Sequence, residues 1–319
     1  MTANGNGNGG VELPIPNGWF AVAWSKDLVP GEVKRTRYFG QDLVMFRTRE
    51  GRARVFDAYC AHLGAHLGEG GRVIGETLRC PFHGWQYDGS GKCVSIPYCQ
   101  DVPSAARVRA WPVSEVNRMV FGWPHAGGRE PSWQVPVMPE IGDDAWTEPR
   151  LFDLQVAVHM QDMHENNCDP VHFQFVHGNL QVPESTVSYA EGGRFMRMSS
   201  RHQTQHAIGG FEVELERDSW GLGLSAVRMV GIPDAGLLMW SSTSPIDTRH
   251  TYSRWLFTVS RNLVDLAGED FVNGLTTGVQ QDIRIWENKI HRAHPILCKA
   301  DTYLIEFRKW VRQFYGDAG

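Results

Sequence analysis

Residues 60–62 read Cys-Ala-His, and residues 80–83 read Cys-Pro-Phe-His. Each of these short stretches offers one thiolate and one imidazole, so together they form a matched pair of ligand-bearing loops. A structural zinc finger normally pairs Cys with Cys and His with His, at longer separations. Gly64, Pro81 and Gly84 accompany the two loops and permit close approach of the backbone to a bound group. The mixed pairs therefore predict a metal centre of another kind.

This mixture of ligands is what a Rieske [2Fe–2S] centre requires. Two thiolates hold one iron atom and two imidazoles hold the other, which raises the reduction potential of the cluster. We predict that the cluster ligands are Cys60, His62, Cys80 and His83. A zinc site, or four unrelated core residues, is the alternative. His66 is predicted to be a loop residue or to support a ligand, and Cys93 and Cys99 to be ordinary thiols.

The residues around these loops, from 18 to about 123, predict an all-β domain. Short strand-like runs cover residues 35–39, 43–47 and 54–57, and turn-forming residues separate them. Glu50-Gly51 is the clearest hairpin tip. The predicted domain organisation is a disordered tail over residues 1–15, the cluster domain over 16–125, a Pro/Gly-rich linker over 126–150 and a second domain over 151–319.

The second domain is predicted to combine strands with C-terminal helices, so the fold class is α+β. Residues 151–160 are strand-like, 161–177 are helical in part, and 184–259 are rich in β-strand patterns. Residues 278–290 and 303–314 carry apolar side chains at three- and four-residue spacing, which indicates amphipathic helices.

Residues 166–177 carry a second metal-like pattern with Asp169, His172 and His177. The histidines are five residues apart and would not share one face of an ideal helix, so they can converge only if the helix is distorted or one of them lies at its end. Asp169 would share a face with His172 in a helix, and its carboxylate could then accept the free N–H of a ligating imidazole. Two histidines and one carboxylate form the facial arrangement of non-haem Fe(II) oxygenases. The spacing leaves the third ligand open, with candidates at Asp265, Glu269, Asp270, Asp282 and Glu287.

Taken together, these motifs resemble the Rieske non-haem iron oxygenase family. The cluster motif C-x-H and C-x2-H and the iron motif N-x2-D-x2-H-x4-H occur in the family's order, the second beginning at Asn166. Residues 80–85, 91–98, 281–289 and 295–298 look most like the 3-ketosteroid 9α-hydroxylase oxygenase branch. The similarity is weakest over residues 183–258, the stretch that shapes the pocket in this family.

The resemblance implies a Rieske domain followed by a helix-grip (START-like) catalytic domain with an antiparallel sheet. It implies that Asp282 completes the iron site with His172 and His177. It also implies a homotrimer, in which Asp169 links a cluster histidine of one subunit to an iron-bound histidine of its neighbour. The electrons would come from NAD(P)H through a reductase or ferredoxin, and O2 would be the co-substrate.

Composition limits the other functions. A net charge of −5 and a pI near 6.2 argue against a nucleic-acid partner, which normally requires a basic surface. No apolar run is long enough for a membrane span, and the Gly/Asn-rich start lacks the pattern of a signal peptide, so a cytoplasmic location is expected. The six cysteines are then more consistent with thiols and metal ligands than with disulfides.

The sequence thus predicts a terminal oxygenase that hydroxylates a hydrophobic molecule, with steroids and polycyclic compounds as candidates. O-demethylation, N-demethylation and desaturation are the alternatives within the same enzyme class. An electron-transfer Rieske protein and a lipid carrier are the alternatives from other classes. Four large side chains are candidates either for the sheet core or for the lining of an apolar pocket, namely Trp220, Met229, Met239 and Trp240.

Overall fold

The computed structural model describes residues 12–190, 192–206, 209–232 and 234–316, apart from the side chains of 203–206, 209–212 and 269–273. The chain forms two compact units. One consists of Trp19–Val137, and the other contains the described residues on either side of it. Most of the predicted N-terminal tail, residues 1–11, lies outside the described residues.

The first unit consists of short antiparallel strands. These are β1 Phe20–Trp24, β2 Val33–Tyr38, β3 Gln41–Arg47, β4 Ala53–Asp57, β5 Arg72–Ile74, β6 Thr77–Arg79, β7 Gln86–Tyr87, β8 Cys93–Ser95, β9 Val113–Val116 and β10 Met119–Gly122. They form three sheets, in the orders β1-β10-β9, β2-β3-β4 and β5-β6-β7-β8. Glu50-Gly51 joins β3 to β4 as predicted, and Gly51 takes the left-handed backbone conformation that this turn needs (φ 91°).

The core of this unit lies directly under the predicted cluster loops. Phe46, Phe56 and Tyr87 are fully buried and belong to the same apolar cluster as Cys60 and Cys80. The two loops are therefore anchored to packed strands, which limits their freedom to move apart.

The second unit contains one seven-stranded antiparallel sheet. Its strands are β11 Arg150–Val156, β12 Glu184–Ala190, β13 Phe195–His206, β14 Gly209–Trp220, β15 Leu224–Val230, β16 Leu237–Pro245 and β17 Thr251–Val259. Strands β12 to β17 follow one another as neighbours, and β11 pairs with the outer side of β17. The predicted β-rich stretch of residues 184–259 is confirmed.

In the described part of this unit, four α-helices accompany the sheet: α1 Met160–His164, α2 His172–Phe175, α3 Arg261–Trp286 and α4 Thr302–Trp310. The long helix α3 packs on the sheet, where Val279 and Trp286 share an apolar cluster with Val156 and Phe257. Short 3₁₀ turns follow α1 at Glu165–Cys168 and α4 at Val311–Phe314. The structure confirms the predicted α+β class, with a β-rich first unit and a sheet with C-terminal helices in the second.

The boundaries predicted for the long helix are wrong. We predicted a helix over residues 278–290, whereas α3 begins at Arg261 and ends at Trp286. Ser260 caps its start, because Ser260 Oγ accepts the Leu263 N–H (3.3 Å). Three glycines interrupt the apolar pattern and have low helix propensity, namely Gly268, Gly274 and Gly278. The sequence pattern therefore did not indicate the first four turns of the helix. The predicted helix over residues 303–314 is found as α4 and the 3₁₀ turn after it.

No helix in the part of the chain that the structure describes has the length and apolar character needed to cross a membrane.

Candidate metal centres and substrate cavity

The two cluster loops share one backbone design. In each, the glycine four residues after the cysteine donates its N–H to the cysteine carbonyl, from Gly64 to Cys60 (3.0 Å) and from Gly84 to Cys80 (3.2 Å). Both glycines are left-handed, with φ of 71° and 73°. An L side chain is strained in this conformation, so glycine closes each loop tightly. Each cysteine and its histidine therefore lie within one closed turn.

The structure brings the four predicted cluster ligands together. The rings of His62 and His83 lie 4.7 Å apart, and Cys60 and Cys80 are buried in the same apolar cluster. His62 Nδ1 is buried and has no hydrogen-bond partner among the described residues. A buried imidazole nitrogen rarely lacks a partner, and a metal ion satisfies it directly. Two sulfurs, two imidazoles and this unpaired nitrogen fit a histidine-ligated [2Fe–2S] cluster.

Two neighbouring aromatic residues, Trp85 and Tyr87, contact these candidate ligands. Trp85 stacks on His62 with the ring centroids 4.6 Å apart. The Tyr87 hydroxyl lies 3.0 Å from Cys60 Sγ and accepts the Ala61 N–H (3.2 Å). Burial and then the nearby Cys60 raise the pKa of Tyr87, so its phenol keeps the proton that it can donate to the sulfur. Sequence reasoning did not identify Tyr87, because nothing in its spacing shows that it reaches the thiol.

Three other residues near the loops have ordinary roles. His66 Nδ1 accepts the Gly68 N–H (3.0 Å), and the His66 ring packs edge-on against Tyr59. Cys93 is buried in the core, and Cys99 is exposed. None of the three takes part in the arrangement of the four predicted ligands.

The iron motif lies where the chain cannot continue as one helix. After α1 and its 3₁₀ turn, Asp169 is extended (φ −107°, ψ 101°), because Pro170 disfavours helical backbone in the residue before it. Helix α2 then begins at His172 and ends at Phe175, so His177 lies beyond its end. The sequence required one histidine to lie at a helix end if the two were to converge, and His177 meets this requirement. The two histidines flank a single short turn, and their ring centroids are 5.1 Å apart.

Helix α3 supplies the carboxylate that completes this group. Ligand atoms of His172, His177 and Asp282 all lie within 4.8 Å of one another, and His177 Nε2 is 3.5 Å from Asp282 Oδ2. Asp282 is buried, whereas the competing candidates Asp265 and Glu287 are exposed. The side chains of the other two candidates, Glu269 and Asp270, lie outside the described residues. Two imidazoles and one carboxylate are a donor set that suits non-haem iron.

Hydrogen bonds leave the same nitrogen of both histidines available for a metal. His172 Nδ1 donates to the Asp169 carbonyl (2.5 Å), and His177 Nδ1 donates to Gln281 Oε1 (2.9 Å). The Nε2 atoms therefore carry the lone pairs, as metal ligation requires. Burial lowers the pKa of His172. At His177 burial opposes protonation, but the Asp282 and Gln281 side chains outweigh it and raise the pKa.

The role of the Asp169 side chain differs from the prediction. Its backbone carbonyl, not its carboxylate, is the close acceptor of the His172 imidazole, and Oδ2 is 3.8 Å from His172 Nδ1. Oδ1 accepts the Val171 N–H (2.8 Å) at the start of α2. The shared helical face did not form, because Asp169 lies outside the helix. The carboxylate remains 38% exposed, so it is accessible from outside the unit.

A cavity of about 1120 Å³ opens beside the three candidate metal-binding side chains. Alternate residues of β14 to β17 line one wall, because every second side chain of a strand faces the same side. Residues of α3 line the other wall. Of the four large side chains proposed for pocket or core, Met229 and Met239 line the cavity, whereas Trp220 packs on the fully buried Trp240. The volume lies slightly above the usual range for small-molecule pockets and is sufficient for a sterol-sized molecule.

One polar network crosses the apolar wall of the cavity. Arg217 Nη1 donates to Ser200 Oγ (2.7 Å), which lies 2.7 Å from His202 Nε2, and Asn179 Nδ2 donates to His202 Nδ1 (2.9 Å). The Arg217 guanidinium covers the Phe173 ring at 4.3 Å. Burial and then the nearby positive groups lower the pKa of His202 to about 4, so it is neutral near pH 7. Sequence reasoning identified none of these residues, since they come from three separate segments.

A second acidic cluster, formed by Asp162, Glu165 and His291, is an ion-pair network. Lys289 Nζ is 3.3 Å from carboxylate oxygens of both Asp162 and Glu165. Arg308 Nη2 is 2.7 Å from Glu165 Oε1. The two cations supply the positive charge that a metal ion would otherwise provide to these carboxylates. The network fastens the segment after α3 to α1 and α4.

Comparison with known proteins agrees with this geometry. The family model for the 3-ketosteroid 9α-hydroxylase C-terminal domain matches residues 122–315, and the Rieske [2Fe–2S] domain matches residues 18–107. A cholesterol 7-desaturase from Ciona intestinalis is 31% identical over 96% of this chain and 70% of its own length. A probable 3-ketosteroid-9-alpha-monooxygenase oxygenase component from Rhodococcus rhodochrous is 30% identical over 94% of this chain and 80% of its own length. The crystal structure of dicamba monooxygenase bound to dicamba shares the fold, with a TM-score of 0.75 at 16% identity over 94% of this chain and 97% of that one.

The first unit is rich in β-strands and carries the paired Cys/His loops, and the second combines a sheet and helices with a two-histidine, one-carboxylate site. This combination is characteristic of the class of Rieske oxygenases. The chain belongs to this family, in the branch that carries the 3-ketosteroid 9α-hydroxylase type of C-terminal domain. It is an oxidoreductase whose cofactors are a Rieske [2Fe–2S] cluster and a mononuclear non-haem iron. The predicted family, fold class, enzyme class and cofactors are confirmed, and the assignment of individual ligands stays a prediction.

Proposed function

We propose that this protein is the terminal oxygenase of a multicomponent system that hydroxylates a steroid or a similar polycyclic molecule. The observation that carries the proposal is the convergence of His172, His177 and Asp282 on the wall of a large, mainly apolar cavity. A substrate buried there would present a C–H bond to the metal site while water is excluded. The relatedness to a protein described as the oxygenase component of a 3-ketosteroid monooxygenase supports this substrate class.

Each part of the site has a proposed role. Cys60, His62, Cys80 and His83 hold the cluster, and His172, His177 and Asp282 hold the iron. When bound, the cluster supplies electrons one at a time and the iron supplies the activation of O2. Gln281 and the Asp169 carbonyl orient the imidazoles, and Phe173 and the residues of the sheet wall position the substrate.

Desaturation is the second candidate reaction. Several of the related proteins are cholesterol 7-desaturases, and they match the chain over almost its whole length. Hydroxylation and desaturation both begin at a C–H bond of a buried hydrocarbon, so the same cavity serves either outcome. A product that has gained one oxygen atom indicates hydroxylation, and one that has lost two hydrogen atoms indicates desaturation.

Electron supply and assembly complete the proposal. As an oxygenase component, the protein would receive electrons that originate from NAD(P)H through a reductase or ferredoxin partner. We propose the homotrimer implied by the family resemblance, with Asp169 bridging the cluster of one subunit to the iron site of the next.

We also propose that residues 16–125 form the cluster domain, 126–150 the linker and 151–319 the catalytic domain. The cytoplasmic location stays a prediction.

Counting iron in reconstituted protein tests the proposed function. We expect about three iron atoms per chain, two in the cluster and one at the mononuclear site. Asp282→Ala should lower this to about two, without loss of the visible absorption of the cluster, and should abolish substrate-dependent O2 uptake. Glu287→Gln, an exposed carboxylate after α3, is the matched control. A colourless protein, or an Asp282→Ala variant with full iron content and activity, would overturn the proposal.

A further inference from the structure

One buried cation faces the cavity without an acidic partner. Arg217 is only 4% exposed and lines the cavity from β14. Among the described residues its guanidinium makes one hydrogen bond, to Ser200 Oγ, and stacks on Phe173. None of the described aspartates and glutamates forms an ion pair with it. Most of its hydrogen-bonding capacity is therefore not used by the described protein groups.

On the other face of the same sheet, two arginines are paired with carboxylates. Arg197 Nε binds Asp218 Oδ1 at 2.6 Å, and Arg228 Nε binds Glu140 Oε1 at 2.5 Å. Both of these partly exposed cations have a carboxylate partner, while the more deeply buried Arg217 has none among the described side chains. Both of these arginines are neutralised by a carboxylate, so the lack of such a partner at Arg217 requires another explanation.

Burial of a single charge is unfavourable unless a counter-charge or strong acceptor reaches it. Burial lowers the pKa of Arg217 to about 10, so the guanidinium is still charged near neutral pH. The only acidic residue along the described cavity wall is Asp282, which belongs to the metal site. A carboxylate on the ligand would bind the guanidinium in a bidentate manner and supply the missing negative charge.

We propose that Arg217 anchors a carboxylate of the substrate, so that the preferred substrates are sterol-sized acids rather than neutral sterols. This inference rests on the proposed function and specifies its substrate class. The Phe173 ring contacts Arg217 and also lies 4.2 Å from the ring of His172 and 5.2 Å from that of His177. The anchored oxygen is thus one aromatic ring away from the metal ligands, and oxidation occurs near the acidic end of the substrate.

Binding measurements on the reconstituted full chain test the inference without turnover. The probes are an etienic acid, a cholanic acid and a cholestenoic acid, each compared with its own methyl ester by anaerobic calorimetry. For at least one pair, the acid should bind the native protein about tenfold or more tightly than the ester. Equal affinities for all three pairs would overturn the inference.

Three substitutions at Arg217 separate recognition from a structural role. Arg217→Gln and Arg217→Met should each abolish the difference between acid and ester, and Arg217→Lys should retain part of it because the charge remains. Arg201→Gln, an exposed arginine on β13, is the matched control and should keep the full preference. Iron content and melting temperature verify that each variant is folded. A folded Arg217→Met protein that still prefers the acid would also overturn the inference.

The failure of this inference is distinguishable from the failure of the proposed function. If neutral 3-ketosteroids drive O2 uptake and no acid is preferred, the anchoring role is wrong and the oxygenase function stands. If neither acids nor neutral steroids bind or stimulate O2 uptake, the proposed substrate class is wrong and the anchoring role is wrong with it.

Discussion

At the scale of single residues, the two imidazoles of the iron site are oriented by different partners. A backbone carbonyl, that of Asp169, holds His172, and the side chain of Gln281 holds His177. A carbonyl cannot be removed by substitution, whereas an amide side chain can. His177 is therefore the proposed ligand whose orientation depends on one replaceable residue.

We expect Gln281→Leu to weaken iron binding by about tenfold to a hundredfold, because the His177 ring loses the acceptor that fixes its tautomer. Titration of the metal-free chain with Fe(II) measures this effect. Gln280→Leu is the control, since Gln280 is an exposed neighbour on the same helix. Unchanged affinity in Gln281→Leu would show that the helix backbone alone positions the ring.

At the scale of elements, helix α3 depends on an unusual glycine. Gly268 has φ 79° and ψ 165° in the interior of the helix, a conformation essentially restricted to glycine. It lies between the capped start of α3 and the half that carries Asp282. This interruption allows both halves to pack against the sheet, although the apolar pattern is not continuous.

Gly268→Ala should therefore destabilise the protein by roughly 1–3 kcal/mol, because an alanine side chain strains that backbone. Gly274→Ala, in the regular part of α3 where an added Cβ would meet open space, should be neutral or stabilise by up to about 1 kcal/mol. Urea unfolding measures both changes. Equal changes in unfolding free energy at the two positions would mean that the glycine-specific conformation of residue 268 is not required.

The ion-pair network between α1 and the segment after α3 predicts a pH dependence. Burial favours the neutral form of Asp162, but the His291 hydrogen bond and the Lys289 charge outweigh it and lower its pKa. A carboxylate with a lowered pKa in the folded state stabilises the protein above its ordinary pKa near 3.9. That contribution is lost as the pH falls through the folded-state value.

Asp162→Asn should consequently destabilise the protein by about 1–3 kcal/mol near neutral pH, because the buried charge that pairs with Lys289 and His291 is removed. The difference from the native protein should shrink below about pH 4. Thermal unfolding followed from neutral to acidic pH detects this change. A difference that stays constant over the range would indicate a loss of packing instead of a loss of charge.

At the scale of the whole molecule, electron delivery is proposed to depend on contact between subunits. Asp169 has a partly exposed carboxylate beside His172, and only one of its oxygens is used to begin α2. Asparagine keeps an oxygen for that role but removes the charge. The substitution therefore separates the bridging function from the local fold.

Asp169→Asn should retain the iron content and the reducible cluster, yet lose nearly all O2 uptake with reductase. Asp265→Asn, an exposed aspartate on α3, is the control and should be fully active. Native mass spectrometry should show three copies in both variants. Full activity of Asp169→Asn, or of a protein that remains a monomer, would contradict the bridging role.

The sequence by itself determined the class of this protein and most of its elements. The mixed Cys/His loops and the Asp169–His177 motif are local patterns, because each places its ligands within a few residues of chain. Residue spacing is enough to recognise such chemistry. The alternating strands of residues 184–259 and the last helix are also local, since periodicity follows from backbone geometry.

Only the tertiary structure decided which distant groups meet. Without the family resemblance, spacing could not choose Asp282, which lies more than a hundred residues after the histidines and reaches them through the packing of α3 on the sheet. It could not show the true start of α3, the hydrogen bond from Tyr87, or the unpaired charge of Arg217. The physical reason is the same in each case. Burial and proximity between separate segments depend on how the elements pack, and that information is not carried by any short stretch of chain.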